Sequence, residues 1–175
     1  MSAYAYLILI ALVCVERLAE LALSRRHLTW ALRYGGVEKG RRHYPWMVAA
    51  HAGLLVAAPA EVLLGHRPFI PWLGWPALAA VLAAQGLRWW CIATLGPRWN
   101  TRVVVIPGIP LIRAGPYRWL RHPNYLAVAA EGVALPLVHT AWLTAIGFTA
   151  VNAVLLWVRI RTEDRALGRR PAAFR

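Results

Sequence analysis

The residues best suited to chemistry lie together in one short stretch, Arg121-His122-Pro123-Asn124-Tyr125, which combines hydrogen-bond donors with an aromatic face. The proline forces the residue before it out of the helical region and is well suited to begin a helix. A helix start favours an anion, for example a ligand carboxylate. The stretch therefore predicts a site for a polar, partly anionic ligand. A basic segment that binds anionic lipid head groups is the alternative.

A second polar cluster follows the last apolar run and contains Arg159, Arg161, Glu163 and Asp164. Adjacent carboxylates in a basic tail would be repelled by an anionic lipid surface. They are better suited to face a cation or hydroxyl groups, or to pair with the neighbouring arginines. Both interpretations remain open from the residues alone.

Glu131 lies inside an apolar run, six residues after Tyr125 and so about 9 Å further along a helix. An ionisable side chain within a membrane span costs about 2.5–3.5 kcal/mol and is a functional hypothesis by default. At that depth the carboxylate needs a partner or a polar cavity. We expect the basic stretch just before it to supply one.

Other polar residues also interrupt apolar runs. Glu16 and Glu20 are four residues apart on one helix face, with Arg17 between them, and Gln85 and Arg88 are one turn apart. The first group is either a functional cluster or a set of ion pairs near the end of a span. The second is more typical of contacts between helices.

The composition indicates a membrane protein. Of 175 residues, 59% are hydrophobic and 15% charged, and the net charge is +13, whereas soluble domains are about 45–50% apolar and about 25% charged. Such apolar content excludes disorder, and a nucleic-acid binder would explain the charge alone. We predict an all-α integral membrane protein with about five transmembrane helices, the last two a helical hairpin, over residues 3–23, 45–64, 71–95, 125–138 and 141–158.

Basic loops alternate with nearly uncharged ones. Lys and Arg number 6 in residues 24–44, 1 in residues 65–70, 5 in residues 96–124, 0 at the hairpin tip and 6 in residues 159–175. The alternation predicts an outside N-terminus and a cytoplasmic C-terminus. No nucleic-acid partner is expected, because the membrane would separate the basic loops. The first run lacks the basic start and small-residue cleavage site of a signal peptide, so we expect it to be retained as a helix.

Several common site motifs do not occur in the sequence. It has no Rossmann glycine motif, no P-loop, no CxxC pair and no HExxH, so we predict no Rossmann domain and no metal. The stretch 103–106 is the only β-like one. We predict a single membrane domain over residues 1–175, with the cofactor region in residues 96–125 and 159–167.

Residues 95–167 resemble the isoprenylcysteine carboxyl methyltransferases; the phosphatidylethanolamine N-methyltransferases are more distantly similar. The resemblance is carried by Gly115-Pro116-Tyr117-Arg118, by the stretch 121–125, by a hairpin with Glu131 and Pro136, and by Arg159 through Glu163-Asp164 to Leu167. It implies an integral membrane enzyme that uses S-adenosylmethionine (SAM) without a Rossmann domain.

The resemblance also implies roles for single residues. Those expected to hold SAM lie at the start of the fourth run and the end of the fifth: Arg121, His122, Pro123, Asn124, Tyr125, Glu163 and Asp164. Arg159 would lie beside the acceptor and stabilise its oxyanion. The alternative to this role of Arg159 is that Glu131 or His122 takes the proton as a general base. Asp164 departs from the family pattern, which usually has two adjacent glutamates.

The N-terminal half is similar to a bacterial branch that O-methylates alkylpyrones or alkylresorcinols and is associated with type III polyketide synthases. The similar stretches are 16–20, 24–26 and 38–45. This implies a protein of the bacterial inner membrane that acts on a lipophilic acceptor among the membrane lipids. The alternatives are methylation of a prenylcysteine carboxylate and a non-enzymatic lipid-binding or transporter protein, against which the two polar clusters argue.

Overall fold

The computed structural model describes residues 1–168 and is built mainly of helices. The five helices are α1 (Ala3–Arg33), α2 (Tyr44–Leu64), α3 (Pro71–Leu95), α4 (Pro123–Leu137) and α5 (Trp142–Ala166). The last two pack against each other as a hairpin, and α4 also packs along α3. The predicted helices and the terminal hairpin are therefore confirmed. The end of the basic tail, residues 169–175, lies outside the described residues.

Three helices within residues 1–168 are both long and apolar enough to cross a membrane: α2, α3 and α5. The 31 residues of α1 are enough for a crossing, but Glu16, Arg17 and Glu20 interrupt its apolar surface. The 15 residues of α4 span about 22 Å, less than the ~30 Å hydrocarbon core. The chain thus has the predicted number of helices, and the fourth one is shorter than the hydrocarbon core is thick.

Two helices extend well beyond the predicted apolar runs. Helix α1 continues to Arg33 rather than ending at residue 23, and α5 continues to Ala166 rather than ending at residue 158. Residues 24–33 and 159–166 contain neither glycine nor proline, so nothing in the local sequence ends either helix. The extension of α5 places the Glu163–Asp164 pair on a rigid helix.

A small sheet packs against α5. Strand β1 (Val37–Lys39) pairs antiparallel with β2 (Val103–Val105), with Glu38 opposite Val104. The sequence predicts β2 from its valine run. It gives no signal for β1, because three residues with two charges do not show a strand pattern. The pairing ties the loop after α1 to the loop after α3.

Small residues bring the helices close together, as is common within membranes. A Cβ atom at Gly132 of α4 would lie 2.1 Å from the ring of Phe148 on α5. Tyr6 of α1 is fully buried and donates a hydrogen bond of 3.1 Å to the carbonyl of Leu135. Many large apolar side chains point outward instead, among them Ile8, Leu12, Leu18, Val56, Leu143, Ile146 and Val154.

Glu61 links two helices at the end of α2. Its carboxylate accepts the backbone N–H groups of Leu143 and Thr144 at 3.2 and 2.7 Å, and pairs with Arg67 at 2.9 Å. The N-cap residue of α5, Ala141, has no side chain that can do this. A carboxylate from α2 therefore caps the start of α5.

Candidate functional site

The start of α4 places His122 and Tyr125 together. Pro123 is the first residue of the helix, and His122 before it has a non-helical backbone. The two rings stack almost parallel, 8° apart in plane, with centroids 5.2 Å apart. The carbonyl of His122 accepts the N–H groups of Tyr125 and Leu126 at 3.1 and 3.3 Å. The bond from Leu126 is the regular first hydrogen bond of the helix, whereas the bond from Tyr125 occupies one N–H group that a helix start otherwise leaves free for an anion.

Tyr125 connects α4 to α5 through its hydroxyl group. The hydroxyl donates to the carboxylate of Glu163 and accepts a 2.8 Å hydrogen bond from Nε of Arg159. Arg159 and Glu163 are four residues apart, so they lie on one face of α5. The guanidinium of Arg159 also lies 3.3 Å from the sulfur of Met47 on α2. One hydroxyl thus bridges a buried cation and a carboxylate.

The acidic pair faces α4 rather than the neighbouring arginines. Nδ1 of His122 lies 3.7 Å from Glu163, and its Nε2 lies 3.3 Å from Asp164. Within residues 1–168 neither carboxylate lies within 4 Å of the guanidinium of Arg159 or Arg161. Of the two interpretations of this cluster, the structure favours the one in which the carboxylates face hydroxyl and imidazole groups.

A polar cleft lies beside His122, Tyr125 and Glu163, and strand β2 forms part of its wall. It consists of two adjoining cavities of about 110 and 180 Å³ that share Asn100, Arg121 and Glu163 in their walls. Arg121 is exposed at the cleft. Tyr117 also lines it, and burial raises the pKa of its hydroxyl, an effect to which the nearby Cys91 adds, so that it stays a neutral phenol.

Four polar atoms near this cleft lack hydrogen-bond partners among the described residues: Nε1 of Trp99, Nε2 of His122, Oδ1 of Asn124 and Oδ1 of Asp164. Buried polar atoms are normally paired, so each is a position that a ligand can satisfy. The atoms include carboxylate and amide oxygens, which accept hydrogen bonds from hydroxyl and ammonium groups. Four arginines lie in the wall of the same cleft: Arg98, Arg102, Arg121 and Arg159. A ligand that carries a carboxylate, an ammonium group and ribose hydroxyls, as SAM does, fits this set.

A larger, mainly apolar cavity of about 410 Å³ lies on the other side of the same wall, lined by residues of all five helices, with Arg88 contributed by α3. Leu18, Leu21, Val48 and Leu55 supply apolar surface to it. The polar cleft and this apolar cavity share four lining residues: Trp99, Asn124, Tyr125 and Arg159. The bridge between Tyr125 and Arg159 is therefore in contact with a polar and an apolar compartment.

Glu131 is separate from the polar cleft and contacts residues of α1 and α3 instead. Its carboxylate accepts a hydrogen bond from Arg88 of α3 and lies 3.7 Å from Arg17 of α1. The expectation that the basic stretch before α4 supplies its partner is wrong. That stretch lies at the N-terminal end of α4, whereas the arginines that contact Glu131 come from α1 and α3. Glu131 does not line the polar cleft or the apolar cavity.

Several residues of the site carry no clear sequence signal. Oγ of Ser24 on α1 accepts the N–H of Thr101 at 3.0 Å and hydrogen-bonds the side chain of Asn100 at 2.8 Å. This anchors the loop that leads into β2. The three polar residues 100–102 directly before the valines are the only signal in the sequence that marks this loop. Met47 gives none, because a methionine in an apolar run is expected as packing.

A buried carboxylate holds the small sheet against this loop. Glu38 of β1 accepts hydrogen bonds from Arg102 at 2.8 Å and from Arg41 at 2.9 Å, and only 4% of its side chain is exposed. Burial alone would raise the pKa of Glu38, but the hydrogen bonds from the two arginines outweigh it and hold the pKa below its ordinary value. The guanidinium of Arg102 also lies over the ring of Tyr44, 4.4 Å from its centre.

The sequence of this chain is similar to a known family and to two curated proteins. The sequence model of the isoprenylcysteine carboxyl methyltransferase family matches residues 77–169. A Bacillus subtilis protein named YpbQ, described as uncharacterized, is 42% identical over 161 residues, which cover 91% of this chain and 95% of that protein. An uncharacterized protein of Haemophilus influenzae is 26% identical over 158 residues, 90% of this chain and 91% of its own length. The family match covers more than half of the chain, including the Tyr125–Arg159 bridge, and the protein therefore belongs to the isoprenylcysteine carboxyl methyltransferase family.

Proposed function

We propose that the protein transfers a methyl group from SAM to an oxygen atom of a lipophilic acceptor, and that this acceptor is an alkylpyrone or alkylresorcinol with an acidic hydroxyl. The family is one of membrane methyltransferases that use SAM. The observation that carries the proposal is the wall formed by Tyr125 and Arg159, which a polar cleft and an apolar cavity share. A water-soluble donor and a lipid acceptor must meet at such a wall.

The polar cleft is the proposed site for SAM. His122, Asn124, Glu163 and Asp164 would hold it through the unpaired atoms and carboxylates described above, with Arg121 at the cleft as a partner for a ligand carboxylate. When bound there, SAM supplies a methyl group on a positively charged sulfur. The acceptor oxygen forms the new bond to that methyl group while the sulfur keeps the electrons of the bond that breaks. The stacked ring of His122 would keep water away from the acceptor side.

Arg159 is the proposed catalytic residue. Its side chain is buried, and in the part of the chain that the structure describes its charge is balanced through the hydroxyl of Tyr125 rather than by a direct ion pair. A buried cation of this kind stabilises a negatively charged oxygen beside it. It would hold an acidic enol or phenol as its anion, which makes a strong base unnecessary. His122 and Glu131 remain the predicted alternatives for taking the proton of the acceptor hydroxyl. His122 lines the polar cleft, and Glu131 is paired with Arg88 and Arg17.

The apolar cavity is the proposed site for the acceptor. Leu18 of α1 and Val48 of α2 line it and are themselves exposed on the outside of the helices. A lipid can therefore reach it sideways from the bilayer, between these two helices. The basic loops suggest that the polar cleft faces the cytoplasm, with the N-terminus outside, and we place the protein in the bacterial inner membrane.

The acceptor can be identified with purified protein in lipid nanodiscs, labelled SAM and three acceptors: an alkylpyrone, an alkylresorcinol and farnesylcysteine. We expect transfer to the first two. Farnesylcysteine is the second candidate because the family model that matches is that of the isoprenylcysteine enzymes. Transfer to it alone would replace the proposed acceptor, and absence of saturable SAM binding would favour a non-enzymatic lipid-binding or transporter protein. A type III polyketide synthase is the proposed functional partner, since it would supply such lipids.

A further inference from the structure

A cluster of charged and amide side chains lies among α1, α3 and α4, and its member Glu131 is between one and two helical turns further along α4 than Tyr125. Its members come from separate parts of the sequence: Glu16, Arg17, Glu20, Gln85, Arg88 and Glu131. Arg17 pairs with Glu20 at 2.9 Å, and its guanidinium donates to Gln85 at 2.8 Å. Arg88 donates to Glu131. The cluster joins three helices within the apolar part of the protein.

Part of the cluster lines the apolar cavity. Arg17, Glu20 and Arg88 all line that cavity, and Glu20 and Arg88 are only 3% and 4% exposed. Oε1 of Glu20 and Nε of Arg88 form an ion pair at 3.5 Å, and neither atom has a hydrogen-bond partner within residues 1–168. One is an acceptor and the other a donor. Leaving such atoms unpaired in an apolar setting is costly.

A hydroxyl group satisfies both atoms at once, because it donates one hydrogen bond and accepts others. From these contacts we propose that Glu20 and Arg88 form a second polar subsite of the acceptor cavity, which binds a hydroxyl of the acceptor other than the one that is methylated. The proposal rests on the proposed function and narrows the substrate class: of the two proposed acceptors it favours the alkylresorcinol, whose head group carries two hydroxyls. Donation to a carboxylate is charge-assisted and stronger than donation to a neutral oxygen.

The geometry of α4 agrees with a head group held at both ends. Tyr125, Val128 and Glu131 are spaced by three residues on one helix, so they mark a path of about 9 Å along it. The first two line the cavity, and Glu131 anchors the cluster at its far end through Arg88. A ring with two oxygens and a hydrogen bond of about 3 Å at each end has a similar length. The alkyl tail would leave between Leu18 and Val48.

Binding measurements without SAM test the subsite independently of catalysis. The probes are 5-pentadecylresorcinol and 3-pentadecylphenol, which share ring and tail and differ by one hydroxyl. We expect the full-length protein in nanodiscs to bind the resorcinol at least tenfold more tightly, measured by tryptophan fluorescence, since Trp99 lines the cavity. Equal affinities for the two probes would overturn the proposal.

Substitutions assign the preference to the subsite. Glu20→Gln keeps the shape but removes the charge, and should reduce the preference to threefold or less. Glu61→Gln is the control, a partly buried glutamate with an arginine partner outside the cavity, and should keep the full preference. An undiminished preference in Glu20→Gln would refute the assignment. If Glu20→Gln does not fold, Arg88→Lys takes its place, because it keeps the charge and loses the Nε donor.

The outcomes separate this proposal from the proposed function. A tenfold preference in binding without methylation of either probe would reject the proposed function and keep the subsite. Methylation of both probes with equal affinities would keep the proposed function and reject the subsite.

Discussion

Arg159 of α5 donates from Nε to the hydroxyl of Tyr125 on α4 over 2.8 Å, and both residues are at least nine-tenths buried. The same hydroxyl donates to Glu163. The contact is the point at which the two helices of the hairpin, the polar cleft and the apolar cavity meet. Changes at either residue should therefore affect catalysis more than folding.

Replacing Arg159 by alanine should lower methyl transfer by roughly 100-fold or more, the range for the loss of one group that stabilises an oxyanion. SAM binding should stay measurable by calorimetry, because the other residues of the polar cleft remain. Arg161→Ala is the control: Arg161 is exposed and lies over Trp157, 3.9 Å from the ring centre. If Arg159→Ala abolished SAM binding, Arg159 would belong to the cofactor site instead.

Replacing Tyr125 by phenylalanine keeps the ring stacked on His122 and removes only the bridging hydroxyl. Hydrogen bonds to charged groups contribute about 1.5–3 kcal/mol, so we expect a loss of roughly 10- to 100-fold in kcat/KM. Steady-state assays with labelled SAM measure this change, with Tyr4→Phe as a control because Tyr4 is 80% exposed at the start of α1. Unchanged kinetics in Tyr125→Phe would show that the bridge has no part in catalysis.

Glu38 should make stability depend on pH. Its pKa is lower in the folded protein than its ordinary value of 4.5, so the unfolded chain takes up its proton first as the pH falls. The stabilisation by Glu38 is therefore complete above about pH 4.5 and is lost as the pH falls through the folded pKa. We expect the melting temperature of the wild type to exceed that of Glu38→Gln at pH 7.

The difference between these two melting temperatures should shrink at acidic pH. Arg102→Gln removes the first partner of Glu38 and should reduce the same difference at pH 7. A gap between wild type and Glu38→Gln that stayed constant down to pH 3 would contradict the assignment.

Gly132 sets the distance between α4 and α5. Alanine there would place its Cβ 2.1 Å from the ring of Phe148, so we expect Gly132→Ala to destabilise the hairpin by about 1–3 kcal/mol. Gly147→Ala, on α5 of the same hairpin, is the matched control because nothing lies within 4 Å of its new Cβ. Thermal unfolding in detergent distinguishes the two. Equal melting temperatures for both variants would mean that the helices are not held at this distance.

By itself the sequence determined which segments are helical and which residues belong together locally. Apolar runs bounded by glycine, proline and charge indicate five helices and a terminal hairpin, and Pro123 marks the start of α4. These features depend on neighbours within a few residues, so a linear pattern contains them. The valine run of β2 is of the same kind.

Only the tertiary structure decided which helix faces meet. Arg17, Arg88 and Glu131 are 43 or more residues apart in sequence, and they join in one cluster because their long side chains reach across from α1, α3 and α4. The same packing brings Met47 to Arg159 and places Tyr125 between a polar and an apolar space. Hydropathy predicts that a helix is buried in a membrane, but contacts between helices depend on the shapes of all their faces at once.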